Sequence, residues 1–224
     1  MDPDGDAGRR RLTRRLTMPA RPEPIAREDL VIHPATAERW ADVVTLLGGN
    51  GERGCWCQAW RGSDGGGPGS AFGRSAAGAN RDALERQVRF GDFAPGVVAY
   101  LGGEPVGWCG LGPRAAMPRL MRSRTIPLVD DVPVWSIGCF VVRAGFRRRG
   151  VARALLDGAI EYARSMGAPT VEAYPIDSGG ARVSTSFAFV GFTSTFEAAG
   201  FRRVVLTDAH SAGLPRWLMR LDLG

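Results

Sequence analysis

Lysine is missing from this sequence of 224 residues: all 29 basic residues are arginine. No lysine amine of the chain can be modified, and the bias fits the codon usage of a GC-rich genome. Cysteine is sparse, and the four thiols, Cys55, Cys57, Cys109 and Cys139, are too few and too unevenly spaced to frame a small secreted domain. Histidine is reduced to His33 and His210, neither with an evident partner. No apolar run reaches the length of a membrane helix, and the opening MDPDGDAGRRRLTRRLTMPARPEP has arginines without the apolar stretch of a signal peptide. These absences point to a soluble, cytoplasmic protein with reduced thiols and no membrane association.

What is present suits one domain. A hydrophobic fraction of 44% in a chain of this length fills a single core. Residues 1–27 are rich in charge, proline and glycine without periodicity, and read as a disordered basic tail ahead of a single domain over residues 28–224. The net charge is +6. Arg9, Arg10, Arg11, Arg14 and Arg15 lie in that tail, and Arg143, Arg147, Arg148 and Arg149 form a second cluster. Little positive surplus is left for a nucleic-acid face. The sequence is compatible with a monomer or a homodimer.

Periodicity sets the element order. A strand at Leu30–Ile32 leads to a helix over Ala37–Leu47 with apolar Trp40, Val43, Val44 and Leu47. Gly48–Gly78 is a long Gly- and Ser-rich loop around Cys55-Trp56-Cys57-Gln58-Ala59-Trp60-Arg61. A helix follows from Asn80 to Phe90. Val97–Leu101 and Pro105–Leu111 flank Gly102-Gly103-Glu104 as a hairpin. Val134–Val142 reads as a central strand buried on both faces. Val151, Leu155, Gly158, Ala159, Tyr162 and Met166 recur at helical spacing, with Gly167 and Pro169 as the stop. A strand at Thr170–Tyr174, a short helix at Ser194–Ala199, and strands at Phe201–Leu206 and Trp217–Leu221 close the domain. The class is mixed α/β, mainly antiparallel.

Val142-Arg143-Ala144-Gly145-Phe146-Arg147-Arg148-Arg149-Gly150-Val151-Ala152-Arg153 joins a buried strand to a helix through a basic turn. Such a turn leaves backbone N–H groups free at the positive end of the helix dipole, where a pyrophosphate satisfies both. Gly150 and Ala152 admit the phosphates, and arginines add charge-assisted hydrogen bonds. An ordinary strand-to-helix turn with a solvated arginine run is the bland alternative. Arg147-x-x-Gly150-x-Ala152, after a hydrophobic strand and before an amphipathic helix, resembles the acyl-CoA signature of the GNAT superfamily of N-acyltransferases. Phe196-Glu197-Ala198-Ala199-Gly200-Phe201 resembles the superfamily's late motif, and the element order is similar from about residue 29 to residue 222.

The resemblance implies a central twisted sheet with splayed strands flanked by helices, and an acetyl-CoA-dependent N-acetyltransferase acting on a primary amine of a small molecule or protein. It places the pantetheine amides along Phe140, Val141 and Val142 and the thioester near Cys139 and Phe140. The pyrophosphate would lie against Arg147, Arg148, Arg149, Gly150, Val151, Ala152 and Arg153. A non-catalytic acyl-CoA-binding module is the alternative. Transfer needs an uncharged amine, for which Glu172 is the candidate base, with Asp177 and Asp130 behind it. Many family members carry a tyrosine acid at the aromatic position of the late motif; here that residue is Phe196, so Tyr174 or a water would take the role. Trp56, Trp60 and Arg61 are the candidate acceptor-binding residues, suited to a flat or partly anionic acceptor. They serve equally as a satellite hydrophobic cluster. Cys55-x-Cys57 lacks the usual zinc spacing, so no metal is expected, and Cys109 and Cys139 read as core thiols.

Overall fold

The structure, a computed structural model, describes residues 22–48, 54–62, 76–181, 183–184 and 187–224. Among them, seven strands make one sheet in the order β1-β2-β3-β4-β5-β7-β6. The strands are β1 (Leu30–Pro34), β2 (Gly96–Leu101), β3 (Glu104–Pro113), β4 (Val134–Val142), β5 (Thr170–Ala173), β6 (Arg202–Ser211) and β7 (Leu214–Asp222). The helices are α1 (Trp40–Gly48), α2 (Ala77–Phe90), α3 (Pro118–Met121), α4 (Val151–Ser165) and α5 (Thr193–Glu197). Every neighbouring pair is antiparallel except β4 and β5, which the α4 crossover joins in parallel. The mixed, mainly antiparallel architecture read from the sequence is the one found.

Two helical layers cover the sheet. On one face α4 buries Val151, Ala154, Leu155, Leu156, Ala159, Ile160 and Ala163 against Leu30, Val97, Val106 and Val171. Each fully buried leucine there contributes about 1.5–3 kcal/mol relative to exposure. Gly158 allows the close approach, because a Cβ at that position would lie 2.4 Å from Ile32 Cγ2. On the other face α1 and α2 bring Trp40, Leu46, Leu47, Leu84 and Val88 onto Val98 and Trp108.

The β2–β3 hairpin turns at Gly102 and Gly103, both in the left-handed region. Of the elements longer than expected, the last two strands gain most. β6 and β7 continue to Ser211 and back from Leu214, around Ala212 and Gly213 at φ 52° and 75°. Residues 1–21 of the expected tail lie outside the described residues. Residues 22–27 lie against the fold: Ile25 N–H donates to the Arg149 carbonyl at 2.9 Å, and Arg149 Nε donates to the Glu23 carbonyl at 2.8 Å. Of the Gly48–Gly78 loop, 49–53 and 63–75 are outside the described residues.

Candidate active site

β4 changes character halfway along. Val134–Ile137 pairs with Thr170–Ala173 of β5, whereas β4 continues to Val142 after β5 has ended. On the β3 side the register shifts between Gly110 and Leu111, leaving Gly138 as a bulge at the point of parting. Among the described residues no strand pairs with the β5-facing edge from Gly138 to Val142, where the Val142 carbonyl accepts from Arg147 Nε at 2.8 Å, and a cavity of about 730 Å³ is lined by this segment. Main-chain groups of that kind need an acceptor or donor from elsewhere.

The cavity's basic end is the start of α4. Arg148 and Gly150 are left-handed, at φ 60° and 97°. The N-cap Gly150 offers no side-chain cap; its carbonyl takes the Arg153 and Ala154 N–H groups at 3.0 and 3.1 Å, and the N–H groups of Val151 and Ala152 before them have no preceding helical carbonyl to donate to. Arg147, Arg148, Gly150, Val151, Ala152 and Arg153 line this end, together with Phe140, Val141 and Val142. Arg149 does not line it, being turned to Glu23 and the Phe146 ring. Arg143 is likewise held outside by Glu104 and the Pro105 carbonyl.

The opposite end is aromatic and apolar. Trp56, Cys57, Trp60, Phe187, Phe189, Phe192, Leu47 and Met117 all line it. The phenylalanines went unnoticed as site residues in the sequence, although their density between residues 187 and 192 was a visible signal. Trp56, Trp60 and Arg61 all line the cavity with the β4 edge, but Arg61 has other work. Its Nη2 donates to the Pro95 and Leu111 carbonyls at 2.9 and 2.8 Å, so it fastens the loop to the sheet instead of offering a fork to an anionic acceptor.

Glu172 and Tyr174 stand away from the cavity, which corrects their reading as base and acid. Glu172 is 0% exposed, accepting from Arg114 and Tyr174 on one oxygen and from Arg220 Nε at 2.9 Å on the other. A carboxylate so enclosed has no lone pair aimed at a substrate. Tyr174 is 1% exposed, with Ser136 Oγ 2.9 Å away. Burial, and then the neighbouring Glu172 charge, push its hydroxyl well above the ordinary tyrosine range, opposite to what an acid needs. Asp130 is bound to Arg220 and Asp177 to Arg203, both at 2.6 Å. Among the described residues, no aspartate, glutamate or histidine lines the cavity.

Phe196 sits behind the wall, 0% exposed, edge-on to Phe140 and Phe201 at centroid distances of 6.1 and 5.1 Å. It shapes Phe140 through packing. Phe196→Ala should therefore lower unfolding free energy by about 3–5 kcal/mol in urea titrations. Phe196→Leu should keep turnover per folded molecule within a few-fold of wild type, and a loss of orders of magnitude would contradict a packing role.

Residues 72–181 match the model of the acetyltransferase (GNAT) family. A search of curated proteins finds no match. The fold is similar to that of a GNAT-family acetyltransferase from Streptococcus pneumoniae, at 15% identity, 87% of this chain, 99% of the other and a TM-score of 0.51. It is also similar to a Corynebacterium glutamicum protein described as histone acetyltransferase HPA2 and related acetyltransferase (20% identity, 86% and 95% covered, TM-score 0.52). A GCN5-related N-acetyltransferase from Kribbella flavida has 17% identity, 88% and 100% coverage and a TM-score of 0.50.

Proposed function

The chain is a GNAT-family acetyltransferase, and from that premise we propose that it moves the acetyl group of acetyl-CoA to a primary amine carried on an aromatic or apolar body. The observation that carries the reading is one cavity lined by a phosphate-type helix start, by the part of β4 that no described strand pairs on its β5 side, and by aromatic residues with no carboxylate among the described lining. The first turn of α4, with Arg147, Arg148 and Arg153, would take the pyrophosphate, and the Phe140–Val142 edge the pantetheine amides. These groups fit because Phe140–Val142 and the first turn of α4 line one cavity, although the Val142 carbonyl already accepts from Arg147 Nε at 2.8 Å and Arg153 N–H already donates to the Gly150 carbonyl at 3.0 Å. Acetyl-CoA supplies an activated acyl thioester, and the residues around it supply orientation and exclusion of water.

The acceptor class follows from what the aromatic end offers. An alkyl ammonium with a pKa of about 10.4 is neutral in roughly one molecule in 2500 at pH 7, a deficit of about 4.6 kcal/mol. No cavity-lining carboxylate or histidine among the described residues makes that up. A weakly basic amine, such as an arylamine, arrives uncharged. Trp56, Trp60 and the cavity-lining phenylalanines suit such a ring by area and by edge-on contact. An apolar wall also lowers the pKa of any amine it desolvates. A polyamine would bring several charges into a cavity whose described lining has no carboxylate to meet them.

That no aspartate, glutamate or histidine among the described residues lines the cavity gives weight to a second reading, a module that binds acyl-CoA without transfer. Free-thiol release from acetyl-CoA in the presence of an amine panel separates the two: arylamines should give release, and no release with any amine would favour the binding module. Trp60→Ala should raise the acceptor KM more than the acetyl-CoA KM. Equal effects on both, or spermidine emerging as the best acceptor, would defeat the acceptor assignment.

A further inference from the structure

Cys57 is a nucleophile for which the fold supplies a setting and the direct-transfer reading has no use. Its Sγ lies at the cavity's elbow. A Cβ placed on Gly110 would be 2.8 Å from Cys57 Sγ and 3.4 Å from Cys139 Sγ, so the two thiols meet at the bulge where β4 leaves β5. Both residues line the cavity. The indole of Trp108, itself 0% exposed, donates its N–H to Cys57 Sγ at 3.0 Å. Indole is a donor with no acceptor function, so the sulfur is placed as an acceptor of hydrogen bonds.

Arg61 supplies the charge. Its guanidinium is held by the neutral Pro95 and Leu111 carbonyls and the Gln87 side chain, and among the described residues no carboxylate pairs with it. A lodged cation without a counter-charge is costly, and a thiolate at Cys57 provides one. The hydrogen bond from the Cys139 thiol, then the Arg61 charge and the Trp108 N–H, hold Cys57 below the ordinary thiol range against the opposing effect of burial. Cys109 and Cys139 are pushed well above it. One thiol of the cluster is thus set apart as the most readily ionised.

We propose that Cys57 receives the acetyl group from acetyl-CoA as a thioester, from which the amine then removes it. The Cys57 thiolate adds to the acetyl carbonyl carbon, the carbon–sulfur bond to CoA breaks, and CoA leaves with the bonding pair and takes a proton from solvent. The amine then forms its bond to the same carbon, Cys57 departs as thiolate, and the amine nitrogen releases one proton. Thioester is exchanged for thioester in the first step, so no further reactant is required.

The inference rests on the acetyl-CoA site proposed above, and the test separates the two. The full chain is mixed with acetyl-CoA without an amine and followed by intact mass and peptide mapping, while CoA binding is measured by calorimetry. One acetyl group should appear on the Cys57 peptide and disappear when an acceptor amine or hydroxylamine is added. Iodoacetamide at pH 7 should alkylate Cys57 about tenfold faster than a thiol of ordinary pKa, with CoA protecting it. A folded Cys57→Ser protein should form no adduct and turn over far more slowly. CoA binding with no acetyl on Cys57, an adduct on Cys55 or Cys139 instead, or unchanged turnover in Cys57→Ser would overturn the proposal while leaving the site intact. Failure of CoA to bind would remove both.

Discussion

Gly150→Asp is expected to remove the rise in melting temperature that acetyl-CoA should give the wild-type protein. Gly150 holds φ 97° at the entrance to α4, a conformation that costs a side-chain-bearing residue about 1–3 kcal/mol. Space is not the obstacle, since the nearest atom to an added Cβ is the Ile25 carbonyl oxygen at 3.8 Å. Charge is. A carboxylate beside the helix start stabilises the helix itself through the dipole, so the variant folds. Against a phosphate about 4 Å away, however, it meets a repulsion of about 4 kcal/mol at an effective dielectric near 20, roughly a thousandfold in affinity. Ligand at a hundred times its wild-type dissociation constant adds about 2.7 kcal/mol to stability, and the variant loses nearly all of it. Gly150→Ala carries the backbone cost without the charge and should keep a measurable shift. A folded Gly150→Asp protein with the wild-type shift would place the pyrophosphate elsewhere.

What the sequence disclosed was whatever local pattern decides. β4 is a continuous apolar run, and α4 carries an apolar stripe ended by Gly167 at φ 74°. The basic turn between them needed Gly150 for a left-handed cap, and that requirement is visible in one residue. β6 was read short because its inward positions beyond Leu206 are Thr207, Ala209 and Ser211, which carry little hydrophobic signal. Its length is fixed instead by pairing with β7 around Ala212-Gly213. The catalytic reading of Glu172 failed for a related reason. Alternation along β5 cannot tell which partners close over a residue, and Arg114 and Arg220 come from 58 and 48 positions away. The same distance effect hid Cys57, whose meaning depends on Trp108 and Cys139 converging on it from β3 and β4.

Glu172→Gln is expected to cost about 3–5 kcal/mol of unfolding free energy, the loss that follows from removing one partner of a buried ion pair. Glu172 is 0% exposed, and the arginines bound to it, Arg114 and Arg220, have side chains only 3% and 6% exposed. Arg220 keeps Asp130 as a second anion at 2.6 Å. Arg114 keeps only the Ile126 and Pro127 carbonyls and the Tyr174 oxygen, all neutral acceptors. The variant therefore strands mainly the Arg114 charge at the junction of β3, β5 and β7. Tyr174 loses the carboxylate that accepts its hydroxyl proton, but Ser136 remains within reach to accept it. The damage falls first on the half of the sheet beyond β4; it reaches the cavity only through Tyr174, which packs in one apolar cluster with the cavity-lining Met117 and Trp60, while the β4 edge and α4 belong to another cluster. Turnover corrected for the folded fraction should thus stay close to wild type while the urea midpoint falls. A structural carboxylate and a catalytic one part company here: unchanged stability with a loss of turnover of two orders of magnitude or more would return Glu172 to the chemistry.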